Sequence, residues 1–212
     1  MAYTTEAKIE SYLGESFDES STPSTADITN MIAWEDAIID KHTGTKFAAT
    51  TVTDEILDGQ GEQRFRLPKS PIISVTNFYE DTTGGLGATS TTWTERTEGR
   101  TNSDNFVILE DEGILHFHSN IPSAGVQNIK TTYVYGHSTV PAEVEYLSTL
   151  LVVRSIIKAR AADSSYGNQS KVTVGPINVE NKISDVKISI EQLDNEIEEA
   201  WQAIGKFRSI SW

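Results

Sequence analysis

Two histidines one residue apart, His116 and His118, come closer to coordination chemistry than any other pair in the chain. On a strand they flank Phe117 and present both imidazoles to one side, within reach of one metal ion. A zinc site wants at least a third protein ligand and none is visible, so a polar, solvent-facing pair is the simpler reading and no metal is assigned. His42 and His137 stand at turns. The acids Asp54, Glu55, Asp58 and Glu62 surround Gly59-Gln60-Gly61. A calcium loop places its oxygens at alternate positions ahead of its glycine, and this spacing does not. Gly84-Gly85-Leu86-Gly87 has no helix start and no Gly-Lys-Ser/Thr after it, so it reads as a hairpin tip and not as a phosphate cradle. In Arg64-Phe65-Arg66, alternation turns Phe65 inward and leaves both arginines to pair with neighbouring acids. There is no Gly-x-Ser-x-Gly elbow, and no spacing singles out a nucleophile with its base. The expectation is a protein that is not an enzyme and holds no cofactor.

The composition narrows the remaining classes. With 212 residues the chain suffices for one domain, or one domain carrying an insertion. It contains no cysteine, which excludes disulfides and thiolate metal sites. No apolar run nears the ~20 residues of a membrane span. The start, Met1-Ala2-Tyr3-Thr4-Thr5-Glu6, lacks the basic and apolar regions of a signal peptide, so no membrane association is expected. Thirty-one acids against 17 basic residues give a formal net charge of −14, with the acids scattered along the chain. Such a surface repels nucleic acid in general, because DNA binding draws on Lys and Arg contacts to phosphate. Two readings of the charge stand side by side. One is ordinary acidic solubility; the other is a hypersaline cytoplasm, where screening shrinks to ~3 Å at 1 M salt.

The elements that must position these residues follow from periodicity. Thr5 is in place to cap a first helix with Ile9, Tyr12 and Leu13 on one face, stopped by Gly14. A polar linker covers residues 15–22. Ser24 and Asp27 read as a capping box for a second helix carrying Ile28, Met31, Ile32, Glu35, Ile38 and Ile39, with Lys41 and His42 in its last turn before Gly44. From residue 51 to 135 the period changes to two. Strands are expected at 51–57, 63–67, 72–80, 91–95, 106–110, 114–118 and 127–135, as a small antiparallel sandwich or barrel. Pro141 pre-sets the start of a long helix, capped by Thr139 or Val140. Val144, Leu147, Leu150, Leu151, Val152, Val153, Ile156 and Ile157 make that helix apolar around most of its girth, so it is central to the fold or lies between subunits. A loop covers 162–170 and an extended segment with a tight turn 171–179. The last helix starts at Ser189, with Gln192 reciprocal to it and a stripe of Ile190, Leu193, Ile197, Trp201 and Ile204. After Gly205 come Phe207, Ile210 and Trp212, an aromatic end that either folds back on its own helices or anchors into a partner.

Four pieces of punctuation recur in a telling order: residues 40–47, Asp40-Lys41-His42-Thr43-Gly44-Thr45-Lys46-Phe47; the Gly59-Gln60-Gly61 turn; the run from Leu67-Pro68 through Ser70-Pro71 to Thr76; and Tyr133-Val134-Tyr135-Gly136-His137 leading to Pro141 and Val144. In order and separation they resemble the head–tail connector (adaptor, or head-completion) proteins of tailed viruses, over about residues 3–160. Taken with the acidity, the resemblance suggests a virus of a haloarchaeon. It implies an α+β fold: a helical body with an N-terminal helix pair (1–49), an inserted antiparallel β module (50–137), and central and C-terminal helices with an extended tail (138–212). It implies a structural virion protein, located in the neck and assembled in the host cytoplasm. Its partners would be itself in a dodecameric ring, the portal protein above, and the next neck or tail protein. DNA would pass through the ring without specific contact, its phosphates finding no counter-charges there. Phe207, Ile210 and Trp212 would meet the portal, and Gly84, Gly85, Leu86 and Gly87 the neck or tail side. The alternatives are a tail-completion or tail-terminator ring, and a virion module binding carbohydrate or a host surface with Trp93, Tyr79 and Tyr133 as stacking residues.

Overall fold

The computed structural model describes residues 2–83, 92–101, 105–162, 172–174, 177–179 and 183–205; in 161–162, 172–174, 177–179 and 183–189 only the backbone is described. Four α-helices and antiparallel sheets make this an α+β fold. The chain divides into two compact units. One joins Met1–Phe47 to Val140–Trp212, and the other is Ala48–Thr139.

The helical unit is built around α3 (Ala142–Ala162). Its residues Val144, Leu147, Leu150, Leu151, Val152, Val153, Ile156 and Ile157 are all buried, and the other helices of the same chain do the burying. Of the two sites expected for this helix, the central one is found within the chain. α1 (Glu6–Leu13) buries Ile9 and Leu13 and ends at Gly14, whose left-handed backbone accommodates the stop. Thr5 sits at its N-cap position without a side-chain cap bond. α2 (Thr25–Thr43) starts with the capping box: Asp27 N–H donates to Ser24, and Ser24 N–H donates to the Asp27 carboxylate. It ends at Gly44, φ 74°, with Gly44 N–H donating to Asp40 C=O.

Three expectations about this unit need correction. Pro141 itself occupies the cap position of α3, its carbonyl accepting from Val144 and Glu145, so neither Thr139 nor Val140 caps it. α4 runs Ile183–Ile204, which places Ser189 inside the helix, where it cannot cap. The 3.6-residue apolar rhythm continues upstream of Ser189 through Val186 and Ile183 and outweighs the local capping-box look-alike. Residues 15–22 are no free linker either. Phe17 is buried, and Arg160 from the end of α3 lies over its ring at 5.6 Å while bonding Glu15 at 2.6 Å and the Thr22 carbonyl at 3.2 Å.

Polar pairs tie α3 to the surrounding helices. Ser148 donates to Asp36 at 2.7 Å, Ser155 to Glu35 at 2.7 Å, and Thr4 bonds Thr149 at 2.7 Å. Tyr3 is the hub. Its N–H donates to Asp36, its hydroxyl to Asp40, and the same hydroxyl accepts the Phe47 N–H at 2.9 Å.

The β unit packs a four-stranded sheet, in the order β1 (Thr50–Gly59), β7 (Gly125–Tyr135), β3 (Ile72–Asp81), β4 (Trp93–Arg96), against a three-stranded one, β2 (Arg64–Arg66), β6 (Ile114–Phe117), β5 (Phe106–Leu109). All pairings are antiparallel. Between the sheets lies a core of Phe65, Phe78, Phe106, Phe117, Tyr133 and Tyr135 with Leu67, Ile72, Leu115 and Ile129. Phe78 is central, its ring 5.3–5.9 Å from those of Phe65, Phe117 and Phe106. Such offset and edge contacts add about 0.5–1.5 kcal/mol each beyond burial. At Thr132 both neighbours of β7 bulge. Asp54 (φ 50°) donates its N–H to the Thr132 hydroxyl, while Thr132 N–H donates to the Asn77 side chain. Gly136, φ 99°, closes the strand where a Cβ would come within 2.6 Å of the Ala48 carbonyl, so only glycine fits. A two-stranded pair, β8 (Val172–Val174) with β9 (Ile177–Val179), precedes α4.

Candidate assembly surface

α2 carries two apolar stripes, and only one faces the core. Ile28, Ile32 and Ile39 are buried, whereas Trp34 is 66% and Ile38 50% exposed. Ile38 was expected in the core stripe. It belongs to a second line with Met31 and Trp34, at spacings of three and four residues, rotated to the adjacent side of the helix. Periodicity reveals that both lines exist; which of them faces inward depends on where α3 and α4 pack. A second apolar line on a helix that already has its core face is the signal that could have found this surface.

Beside that ridge runs a groove of about 460 Å³ with α2 on one wall, α4 on the other and Leu151 of α3 at its floor. Ile38, Ile197 and Trp201 supply apolar lining, and Glu35 and Glu198 stand as acids at its rim. Arg154 and Asp194 also line it and neutralise one another at 2.6 Å. Being partly exposed, that pair contributes little stability. At the end of the groove the Trp201 ring meets His42 with centroids 4.4 Å apart, which joins the C-terminal turns of α2 and α4. A second hollow of about 240 Å³ is lined by Glu143, Tyr146, Glu196 and Glu199. There Glu196 accepts from Tyr12 at 3.2 Å and Tyr146 at 3.4 Å; burial and the Glu196 charge push the Tyr12 hydroxyl up to about 12.

The residues singled out for chemistry are placed apart. His116 is on β6, and His118 lies just past its end with its N–H donating to the Asn105 carbonyl. No group of three metal-ligating side chains occurs among the described residues. The acids near Gly59 are engaged locally: Glu55 accepts from the Tyr133 hydroxyl at 2.7 Å, and Asp58 from the Gln127 N–H at 2.7 Å. Phe65 is buried and Arg64 pairs with Glu112 at 2.7 Å, as alternation demands. Arg66 is exposed and makes no ion pair among the described residues, contrary to expectation; the nearby Glu112 pairs with Arg64 instead. Of the three stacking residues, Tyr133 is fully buried, and Tyr79 and Trp93 hold Lys130 at 5.1 and 4.9 Å over their rings. Tyr79, Trp93 and Lys130 form a cation–π clamp within the β unit. Phe207, Ile210, Trp212 and Gly84, Gly85, Leu86, Gly87 lie outside the described residues. No helix among those described is long and apolar enough to cross a membrane.

One buried ion pair stands out in the β unit. Glu80, fully buried on β3, is bonded by Arg96 of β4 at 2.6 Å and by the Ser123 N–H at 2.8 Å. Burial raises its carboxyl, but the Ser123 and Arg96 bonds outweigh burial and hold it below the usual range. In the helical unit, Asp36 moves the other way. Burial raises it, and the bonds from Tyr3 and Ser148 compensate only in part. Both groups are held by neighbours within their own unit.

Comparison with known proteins adds a likeness at the level of coordinates. No family model matches the chain, and no curated protein does. Nine chains of solved structures do, among them one described as the neck of an empty gene transfer agent (GTA) particle computed with C6 symmetry and one described as the virion of a native GTA particle. Each of these two matches with 14% identity and a TM-score of 0.46, covering 72% of this chain and 77% of that chain.

Proposed function

We propose that this chain is a structural virion protein of a tailed virus or virus-like particle, a connector subunit that assembles with copies of itself into a ring between portal and tail. The observation that carries the reading is the helical unit. It is closed by both ends of the chain around a buried α3, yet it leaves Trp34 and Ile38 on its surface beside an open groove. Large apolar side chains exposed together mark association surfaces more often than solvent faces. The order of the turns, with Gly44 and Gly136 in the left-handed conformations their motifs demand, supports the resemblance to connector proteins.

Interface matching is the work this reading assigns. A heterologous side-to-side contact closes a ring when its rotation per subunit divides the circle, and a dodecamer is proposed here. The β unit serves as an insertion between the two halves of the body, and Gly84–Gly87 as its contact with the next neck or tail protein. Phe207, Ile210 and Trp212 are the subunit's contact with the portal. Acidic side chains facing the channel keep passing DNA from adhering. Particles assembled without this chain are expected to fill with DNA, gain no tails and leak; particles that become tailed and infectious without it would refute the reading. We further propose that the net charge of −14 reflects a salt-rich cytoplasm. Melting temperature should then rise from 0.1 M toward molar salt, as screening contracts from ~10 to ~3 Å; a flat or falling profile would remove the halophilic part alone.

A further inference from the structure

Four of the five large apolar side chains left exposed among the described residues gather at two places that carry no charge. The first is the outer face of α2. Between Asp27 and Lys41 its exposed residues are Thr29, Asn30, Ala33, Trp34, Ala37 and Ile38, one uncharged face of the helix. The acids of the same stretch are bonded elsewhere: Glu35 accepts from Ser155, Asp36 from Tyr3 and Ser148, and Asp40 from Tyr3. α4 shows the opposite habit, with Glu191, Glu196, Glu198 and Glu199 all exposed. The fifth side chain, Tyr146, stands among Glu143, Glu196 and Glu199.

The second place is in the β unit. From Gly113 to Ile129 runs the longest stretch of the chain without Asp, Glu, Lys or Arg, and within it the loop at 119–127 leaves Ile121 43% and Val126 64% exposed. That loop is held in advance. Ser123 N–H donates to buried Glu80 at 2.8 Å, while buried Asn128 donates to the Ser123 carbonyl at 3.0 Å and accepts the Gly59 N–H at 2.7 Å. Asp58 beside the loop is taken up by the Gln127 N–H at 2.7 Å. A Cβ on Gly59 would lie 2.0 Å from the Ser123 carbonyl oxygen, which accounts for the first glycine of the Gly59-Gln60-Gly61 turn. A surface fixed in this way loses little freedom on binding.

We propose that the 119–127 loop of one subunit docks on the outer face of α2 of a second copy, Ile121 and Val126 against Trp34 and Ile38. Charge names the occupant. Copies of a chain at −14 repel one another, and like charges facing across an interface oppose association. Copies therefore meet where the facing surfaces carry no acid, and these two places satisfy that condition while offering apolar side chains. A basic partner would be received at exposed acids, which α4 supplies and these surfaces lack. One surface is a helix face and the other a loop, so the contact is heterologous, as closure of a ring requires. The inference rests on the ring reading and names the joint within it.

The chain has no cysteine, so introduced cysteines report the contact alone. Two full-length chains, one with Ala33→Cys and one with Ser123→Cys, both at exposed positions, are mixed with portal-bearing capsids in molar salt and treated with a short bis-maleimide. The expected product is the heterodimer, with no dimer from either chain alone. Val126→Glu in the Ser123→Cys chain should cut it at least about tenfold, as loss of an interface anchor does. Trp34→Lys in the Ala33→Cys chain should restore most of the loss by giving the new carboxylate a partner, which a merely structural role of either residue would not do. Circular dichroism should show every variant folded. A dimer from Ala33→Cys alone, an internal bridge in a chain carrying both cysteines, bridging to the portal protein only, or no bridge at all would each overturn the proposal. If electron microscopy shows rings on the portal beside any of these results, the connector reading stands and this joint alone falls; without rings, both fall.

Discussion

The β unit and the helical unit treat their large side chains in opposite ways. In the β unit six aromatic rings are gathered between two sheets, and even the tyrosine hydroxyl of Tyr133 is answered from inside, by Glu55. In the helical unit the core around α3 is mostly isoleucine, leucine and valine; Tyr3, Phe17 and Phe47 are buried there too, while Trp34, Tyr146 and Trp201 stand at or near the surface. Aromatic rings form the centre of one core, whereas the other unit leaves its large rings Trp34 and Tyr146 exposed. Trp and Tyr are the residues that most often anchor interfaces. Under the proposed connector function, the helical unit is the one that supplies assembly contacts through exposed rings.

Cutting into the aromatic core is the harshest way to break that contrast. Phe78→Ala should cost about 3–5 kcal/mol in the β unit, because Phe78 reaches from β3 to three rings of the facing sheet. Hydrogen exchange should show protection lost across 48–139 while the helices keep theirs. Simultaneous loss in both units would mean they are one cooperative body and the contrast is only compositional.

Tyr3→Phe probes the helical unit at its polar hub. The change removes the donor to Asp40 and leaves the buried Phe47 N–H without its acceptor, at a cost of about 1–3 kcal/mol. Chemical denaturation followed by helical circular dichroism measures it, and an unchanged midpoint would show that water substitutes for the hydroxyl.

Acid should act on the two units with opposite sign. Glu80 titrates below its ordinary value when folded, so its contribution is present above the unfolded pKa and is lost as pH falls through the folded one. Asp36 titrates above its ordinary value when folded. Its burial therefore costs stability at neutral pH, and that cost is relieved as pH falls through the raised pKa toward the unfolded one. Glu80→Gln should flatten the acid destabilisation of the β unit, and Asp36→Asn the acid gain of the helical unit. Unit-resolved exchange between pH 7 and 4 reads both slopes; equal signs would contradict the assignment.

Much of this contrast was open to sequence reading, and the failures share a cause. The seven strands from β1 to β7 follow a period of two bounded by Gly, Pro and Asn signals, and each lies within a few residues of its expected place. Ser24 and Asp27 form their box because the pattern falls where an apolar rhythm begins. Ser189 and Gln192 carry the same kind of pattern in the middle of a rhythm, where continuity of the helix overrides it. Ile38 was misplaced because two adjacent apolar stripes on α2 are equivalent until α3 and α4 choose between them. Tyr133, a stacking candidate only in one alternative, is core, as the spread of the aromatics along the strands favours. The groove combines residues from three helices far apart in sequence, so no local window could contain it.

The smallest effect expected on stability belongs to the residues expected to matter most for assembly. Trp34→Ala and Ile38→Ser, both at exposed positions, should change unfolding free energy by no more than about 0.5 kcal/mol, while reducing self-association measured by sedimentation. A large loss of stability would return the second stripe of α2 to the core.

Electron microscopy of the full-length chain mixed with portal-bearing capsids, at particle-like ratios and in molar salt, tests the central claim most directly. The account predicts a closed ring of copies seated on the portal, with the α2 ridge and its groove at the boundary between neighbouring subunits. Capsids without a ring, or rings in which Trp34 and Ile38 face solvent, would contradict it.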